Sequence, residues 1–376
     1  MSAAPPVSLS SSPVVERTAH ALLLALAMPI LLAPAGGLSW LVAGLGLLLA
    51  AWPLALAERA LSVRARKPLL SGMQVLTREA DAGRGWRVLA WSSLAASLLA
   101  LALMSLLAGA IATQIVQAVL AGHATVPDGR QLWPVLTLLA LLTALLRPLG
   151  KAPVLVWLLP ATLLLILQVM LHARGLASAP VETDLMLPAV LPDQALLLFG
   201  ALALGGGLGV HWQLAAQDGQ RLSLPGLGMT LVLALAVLAG LFGGGLPALM
   251  LAFVITLLAI TALLQPALAL ARERGLSPVM ALILIFVPTV LMTEAIGYFG
   301  GVTLLDDLAC VLAIWMTLNL LVLSIYAGWV MKVSHVRKAL QLPSEAIYNV
   351  WRVAVRWVAP IILLSGLAQL LRALFA

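Results

Sequence analysis

Residues 88–119 read VLAWSSLAASLLALALMSLLAGAIATQIVQAV, thirty-two positions without one charged side chain. As a helix this run rises about 48 Å, against the roughly 30 Å of a bilayer's hydrocarbon core. It is long enough to tilt or to project beyond the bilayer. Comparable apolar runs recur along the sequence at 18–34, 37–57, 132–147, 153–172, 194–216, 225–242, 247–271, 279–297, 308–331 and 347–372. With 88–119 they make about eleven spans, each near the ~20 residues needed to cross. Joints such as RPLGKAP and FGGGLP separate many of them, and no stretch reads as a soluble domain. The chain is 63% hydrophobic and 9% charged, with mean hydropathy +1.11. A soluble fold of 376 residues could not cover that much apolar surface. The expected class is therefore an all-α polytopic membrane protein.

Charge fixes the expected orientation. With the N-terminus placed in the cytoplasm, the tail, the loops after spans 2, 4, 6, 8 and 10 and the span ends that adjoin those loops hold eighteen of the 21 Lys and Arg residues. Only Arg130, Arg174 and Arg372 fall elsewhere. That is the positive-inside rule obeyed at each turn, and it accounts for the net charge of +7 without nucleic acid, because no basic-aromatic patch is present. The Leu-, Ala- and Gly-rich composition is of a bacterial kind, so the expected location is the inner membrane. Residues 1–16, MSAAPPVSLSSSPVVE, read as a disordered cytoplasmic tail, and 17–376 as one transmembrane domain. Arg17, the apolar run 19–33 and APA at 33–35 also suit a signal peptide; an uncleaved first span fits the charge pattern. The single cysteine, Cys310, excludes an internal disulfide and a Cys-based metal site. No Walker loop, HExxH, GxSxG or acidic metal-ligand spacing occurs, so neither an enzyme nor a cofactor is expected. Ser105 with His20 or His211 is the one conceivable hydrolytic combination.

The largest cytoplasmic loop, 58–87, carries a short amphipathic segment, 71–82, in which Met73, Val75 and Leu76 share a face. It reads as an interfacial helix packed under the spans, with a docking site as the alternative.

Two spans carry their own breakers. Span 6 contains GALALGGGLG at 200–209, although each glycine costs roughly 1 kcal/mol in a helix interior. Span 1 contains MPILLAPAGG, with Pro29 and Pro34. Backbone at membrane depth leaves the helix only where it is buried in protein or lines a cavity. Secondary transporters use such breaks at the midplane, in matching positions of two halves. Five spans separate the pair, as a five-plus-five inverted repeat requires: a first repeat 17–172, a second 194–331 and an extra helix 347–372. The competing explanation is close helix packing at small residues.

Several segments, in order, resemble the neurotransmitter:sodium symporters of the leucine-transporter fold. GGLSWLVAGLGLLLAAWPLALAERAL is similar to that family's second helix, with Pro53 and a closing Glu58. VRARKPLLSGMQVLTREADAGRGWRVLAW resembles its first intracellular loop, and SLLAG at 105–109 its third helix. LPDQALLLFGALALGGGLG resembles the sixth helix, LLQPALALARERGLS the end of the eighth, and IYNVWRVAVRWVAPIILL the eleventh. The resemblance implies a transporter working by alternating access, with a site between spans 1, 3, 6 and 8. The substrate-binding candidates are Met28, Pro29, Met104, Ser105, Phe199, Gly200, Ala203, Gly205, Gly206 and Gly207. The implied guest is a small organic solute, such as an apolar amino acid, held against the broken helix ends.

The family's ion ligands are largely missing. Its substrate-contacting Tyr falls on Met104, its second Phe on Gly200, and an ion-ligating Thr or Ser on Ala201, with Ala203 two positions on. The seventh-helix Asn has no counterpart in 231–239, and the Thr-Ser pair of the eighth falls on Leu258 and Ala259. A hard cation needs several oxygens, so sodium coupling in the family manner is not expected, and a proton is the other candidate ion. Arg17, Glu294, Asp306 and Asp307 are candidates for gating or coupling, since intramembrane acids mark such roles by default. Hydrated helix ends are the plainer role for the three acids. Gln114 and Gln117 are candidates for an access path, Asn319 and Thr317 for interhelical hydrogen bonding, and Glu58 for a pair with Arg59 or Arg64. The lost ligands also motivate an alternative, a transport-defective relative acting as a membrane partner or regulator.

Overall fold

The computed structural model describes residues 44–120, 193–202, 204–217, 266–340 and 344–375, with positions 42, 253, 260, 263, 264 and 342. These residues form helices and turns, with no strand among them. The helices are α1, Trp52–Ala65; α2, Leu69–Glu79; α3, Val88–Leu120; α4, Asp193–Leu202; and α5, Val210–Gln217. The second half of the chain adds α6, Pro278–Ile325; α7, Val333–Leu340; α8, Glu345–Val353; and α9, Ala359–Phe375. Among the described residues, four stretches are long and apolar enough to cross a bilayer: Gly44–Ala65, Arg84–Gly109, Asp307–Val330 and Glu345–Arg372. They coincide with the expected spans 2, 3, 10 and 11. Spans 1, 4, 5 and 7 lie outside the described residues, as do Arg17, Met28, Pro29 and Ala203.

One boundary differs from expectation. Residues 298–307, read as an outer connection between spans 9 and 10, are helical, and α6 runs unbroken for 48 residues. Gly297, Gly300 and Gly301 weaken that stretch but do not stop it, because each retains the backbone N–H that a proline would lack. Asp306 and Asp307 accordingly lie inside the helix and do not open it; Asp307 is exposed. The N-terminal cap is instead Ser277, whose hydroxyl accepts the Met280 N–H at 3.2 Å.

The core is built of Leu and Ala with few large residues. Span 2 is buried on nearly every face from Pro53 to Ser62, as expected of a helix wrapped by others. Small residues set the approach distances. A Cβ added to Gly46 would stand 2.1 Å from the Leu197 carbonyl oxygen, so α4 crosses the start of span 2 backbone against backbone. The amphipathic segment expected at 71–82 forms α2, and it packs under the spans: Gly72, Met73, Leu76 and Thr77 are buried. A Cβ on Gly72 would stand 2.5 Å from the Trp212 ring.

Among the described residues three turns are π-type, Leu47–Ala51, Tyr326–Val330 and Ala354–Val358. The last two meet. Arg356 Nε donates to the Gly328 carbonyl at 2.5 Å, its guanidinium lies 4.9 Å from the Trp329 ring centroid, and Ser324 Oγ donates to the Val355 carbonyl at 2.6 Å. A widened turn leaves carbonyls without their usual helical donors, and here side chains of the neighbouring helix supply replacements.

Candidate functional site

The sixth span is broken where its glycines predict. Helix α4 ends at Leu202 and α5 begins at Val210; between them Gly205, Gly207 and Gly209 adopt φ values of 64°, 76° and 77°. Side chains rarely tolerate that left-handed region, which is why three glycines alternate there. One backbone bond, Gly205 N–H to the Leu202 carbonyl at 2.8 Å, closes the end of α4.

The break is held from both sides. Glu58 is 3% exposed on α1, in the middle of the protein core. Its Oε2 accepts the Gly207 N–H at 3.1 Å, and its Oε1 accepts the Trp212 N–H at 3.1 Å. Trp212 is in the first turn of α5, whose leading N–H groups have no intrahelical partner. A carboxylate from another helix thus does what an N-cap residue does locally, and it also faces the positive end of the helix dipole. One turn along α1, Ser62 Oγ donates to the Trp212 carbonyl at 2.6 Å. The Trp212 indole N–H donates to the Lys67 carbonyl at 2.9 Å. His211 Nε2 lies 2.8 Å from the Leu204 carbonyl oxygen, so it carries the proton and spans the break from its far side.

On the opposite face, Asn319 of α6 donates from Nδ2 to the Gly207 carbonyl at 3.0 Å. Asn319 is itself held: Ser92 Oγ donates to its Oδ1 at 2.6 Å, and the Trp315 indole N–H donates to Ser92 Oγ at 2.7 Å. Gly207 therefore has its N–H fixed by span 2 and its carbonyl by a relay from spans 3 and 10. Packing runs along the same line. A Cβ on Gly206 would meet Leu320 Cδ2 at 2.9 Å, and one on Gly207 would meet Asn319 Cβ at 3.0 Å.

Of the two partners expected for Glu58, this geometry gives Arg64 to another acid. Arg64 bonds Glu79, which His335 also approaches at 3.4 Å, while Glu58 and Ser62, four residues apart, both face the break. Arg59, 6% exposed, is the charge beside Glu58. Asn319 takes the interhelical role expected of it. Thr317 does not, since its hydroxyl donates to the Ala313 carbonyl of its own helix at 2.6 Å.

The other expected residues divide. Gly200, Gly205, Gly206 and Gly207 are buried at or beside the break, and Phe199 is half-buried in the last turns of α4. Met104 and Ser105 are buried in α3, with the Ser105 hydroxyl bonded to the Leu101 carbonyl of its own helix at 2.8 Å. Glu294 lies within α6. Ser92 and Trp315 escaped the sequence reading, because a serine in an apolar run gives no sign of a partner 227 positions away.

No protein-family profile matches the chain, and no curated protein sequence matches it. Solved structures do. A crystal structure of MhsT, a neurotransmitter:sodium symporter, in complex with L-phenylalanine superposes with a TM-score of 0.72 at 18% identity, covering 96% of this chain and 98% of MhsT. That match is to a transport protein. The interrupted helix, the apolar spans and this superposition together give the chain the leucine-transporter fold of the neurotransmitter:sodium symporters.

Proposed function

We propose that this protein is a secondary-active transporter-like membrane protein that moves a small amino acid or related organic solute by alternating access. The observation that carries the reading is the α4–α5 break, a nonhelical segment within the expected sixth span whose every described residue from Leu204 to Gly209 is buried. An interrupted helix in lipid requires a compensating environment, and Glu58 and Asn319 supply it here. The likeness to MhsT, solved with L-phenylalanine bound, favours an amino acid as the guest.

The electrostatics of the break narrow the pose. The positive end of α5 is occupied by the Glu58 carboxylate, so a substrate carboxylate gains nothing there. The C-terminal end of α4 favours a cation, such as a substrate ammonium. Glu58, Asn319 and His211 are engaged by the break itself, and the other buried side chains of this reading, Met104, Leu198, Ala201, Leu204 and Leu208, are apolar. The latter offer no oxygen to a hard ion, so sodium coupling through the family's ligand set is not part of this reading, and a proton is the alternative driving ion. Met28, Pro29 and Ala203 would complete the site from segments outside the described residues.

A second reading, a transport-defective relative acting as a membrane partner, is favoured by one observation: Leu320 and Asn319 fill the space over Gly206 and Gly207. Counterflow of labelled apolar amino acids in proteoliposomes separates the two. The transporter reading expects saturable exchange without sodium. No exchange of any amino acid, with a folded protein, refutes it in favour of the second reading.

A further inference from the structure

A groove of about 520 Å³ opens between the Gly83–Arg87 loop, the start of α3 and the second half of α6. That is well within the few hundred to a thousand Å³ typical of sites for small organic molecules, and the transport reading makes no use of it. Trp86, Val88, Leu89, Trp315, Leu318 and Val322 form its walls. Ser92 and Asn319 form its floor, but their polar atoms are already engaged with each other, with Trp315 and with the Gly207 carbonyl. The interior thus asks for an apolar occupant.

The groove's surroundings say from where that occupant comes. Val88 is 64% exposed, Leu318 48% and the adjoining Trp91 56%. An apolar rim of this kind faces hydrocarbon in a spanning protein, not water. At the end that carries the basic loops, the lining glycines Gly83 and Gly85 flank the exposed Arg84, with Arg87 three positions on. Residues 83–92 hold two arginines and no acid. Of the two acids just before this stretch, Glu79 is taken by Arg64, and Asp81 is exposed. Apolar walls below and two arginines against one acid above match one class of molecule: a lipid whose headgroup is negative. Basic residues flanking helices on the cytoplasmic side bind such headgroups.

We propose that this groove binds an anionic phospholipid of the cytoplasmic leaflet, with an acyl chain along the α3–α6 walls and the headgroup phosphate at Arg84. The occupied groove packs on Asn319 and Ser92, so the lipid braces the relay that holds the Gly207 carbonyl. The proposal stands whether or not the protein transports.

The test compares thermal unfolding of the full chain, purified in a neutral detergent, with added phosphatidylglycerol or phosphatidylcholine. Phosphatidylglycerol should raise Tm by several degrees and phosphatidylcholine should not. Native mass spectrometry should show one retained phosphatidylglycerol per chain. Leu318→Trp, which fills the groove from an exposed wall position, should abolish both effects, and Val88→Trp does the same from the other wall should Leu318→Trp fold poorly. Arg84→Ala should weaken phosphatidylglycerol binding by about fivefold, the effect of one basic residue at a charged surface. Equal stabilisation by the two lipids, protection by inorganic phosphate alone, or a retained lipid in the filled variants would each overturn the proposal.

Discussion

Replacing Glu58 by Gln isolates what its charge does, because the two side chains have almost the same shape. In the wild type two oxygens each accept one backbone N–H, from Gly207 and from Trp212, both at 3.1 Å. Glutamine has one oxygen. Its NH2 group must face whichever donor the oxygen leaves, so one buried N–H loses its acceptor and meets another donor. An orphaned buried donor costs about 1–3 kcal/mol, and the surviving bond drops from charge-assisted to neutral, roughly halving it. The sum is about 2–4 kcal/mol. Glu58→Ala orphans both donors and leaves a void in a position only 3% exposed, about 3–6 kcal/mol in all. At about 2 °C per kcal/mol for a large domain, Gln should lower Tm by about 4–8 °C and Ala by more. The assay is tryptophan-fluorescence unfolding in one fixed detergent, with proteoliposome counterflow measured on the same preparations. Should Gln and Ala both melt within about 1 °C of the wild type, well below the shift worked above, the carboxylate does not hold the break and the reasoning fails.

Single contacts carry further expectations. Gly207→Ala forces a Cβ into φ +76° and to 3.0 Å from Asn319 Cβ. It should cost about 1–2 kcal/mol in strain alone, whereas Gly83→Ala, with nothing within 4 Å, should be nearly neutral by the same unfolding assay. Asn319→Ala and Ser92→Ala should be non-additive, since each disables one relay; a double-mutant cycle with a coupling below about 0.5 kcal/mol would disprove the connection. The Arg64 hydrogen bond, with help from the Arg64, His335 and Lys332 charges, holds the Glu79 carboxyl below its ordinary value of 4.5. Its contribution is therefore present above that ordinary value and is lost as pH falls through the lowered one. Glu79→Gln should flatten the acid limb of the Tm–pH profile, and an unchanged limb would count against the pair. Sodium at tens of millimolar should leave Tm unchanged if the apolar surroundings of the break hold no sodium, and a clear rise would contradict that.

Much of this was legible in the sequence, and the physical reasons differ by element. Spans 2, 3, 10 and 11 were visible because hydrocarbon demands long apolar runs whatever the neighbours are. The span 6 break was visible because left-handed backbone demands glycine, and Gly205, Gly207 and Gly209 alternate accordingly. The role of Glu58 was legible only in part: Arg59 does stand beside it, but the backbone donors it caps are 149 and 154 positions away and leave no local trace. The continuity of α6 through 298–307 was missed because three glycines and two aspartates mimic a turn, yet no proline removes a donor. Of the Ser92–Asn319 relay, Asn319 stood out as an amide in an apolar span, but a serine such as Ser92 gives no sign of its distant partner.

The widened turns of Tyr326–Val330 and Ala354–Val358 carry a consequence for how this protein can change over generations. A π turn holds one residue more than an α turn and leaves the helix beyond it in step. Arg356 bonds the Gly328 carbonyl in one such turn and Ser324 bonds the Val355 carbonyl in the other, so deleting a residue from either turn would tighten it to α geometry and shift a carbonyl that the facing helix holds. Spans 10 and 11 should therefore tolerate a one-residue change at that seam only when both turns change together.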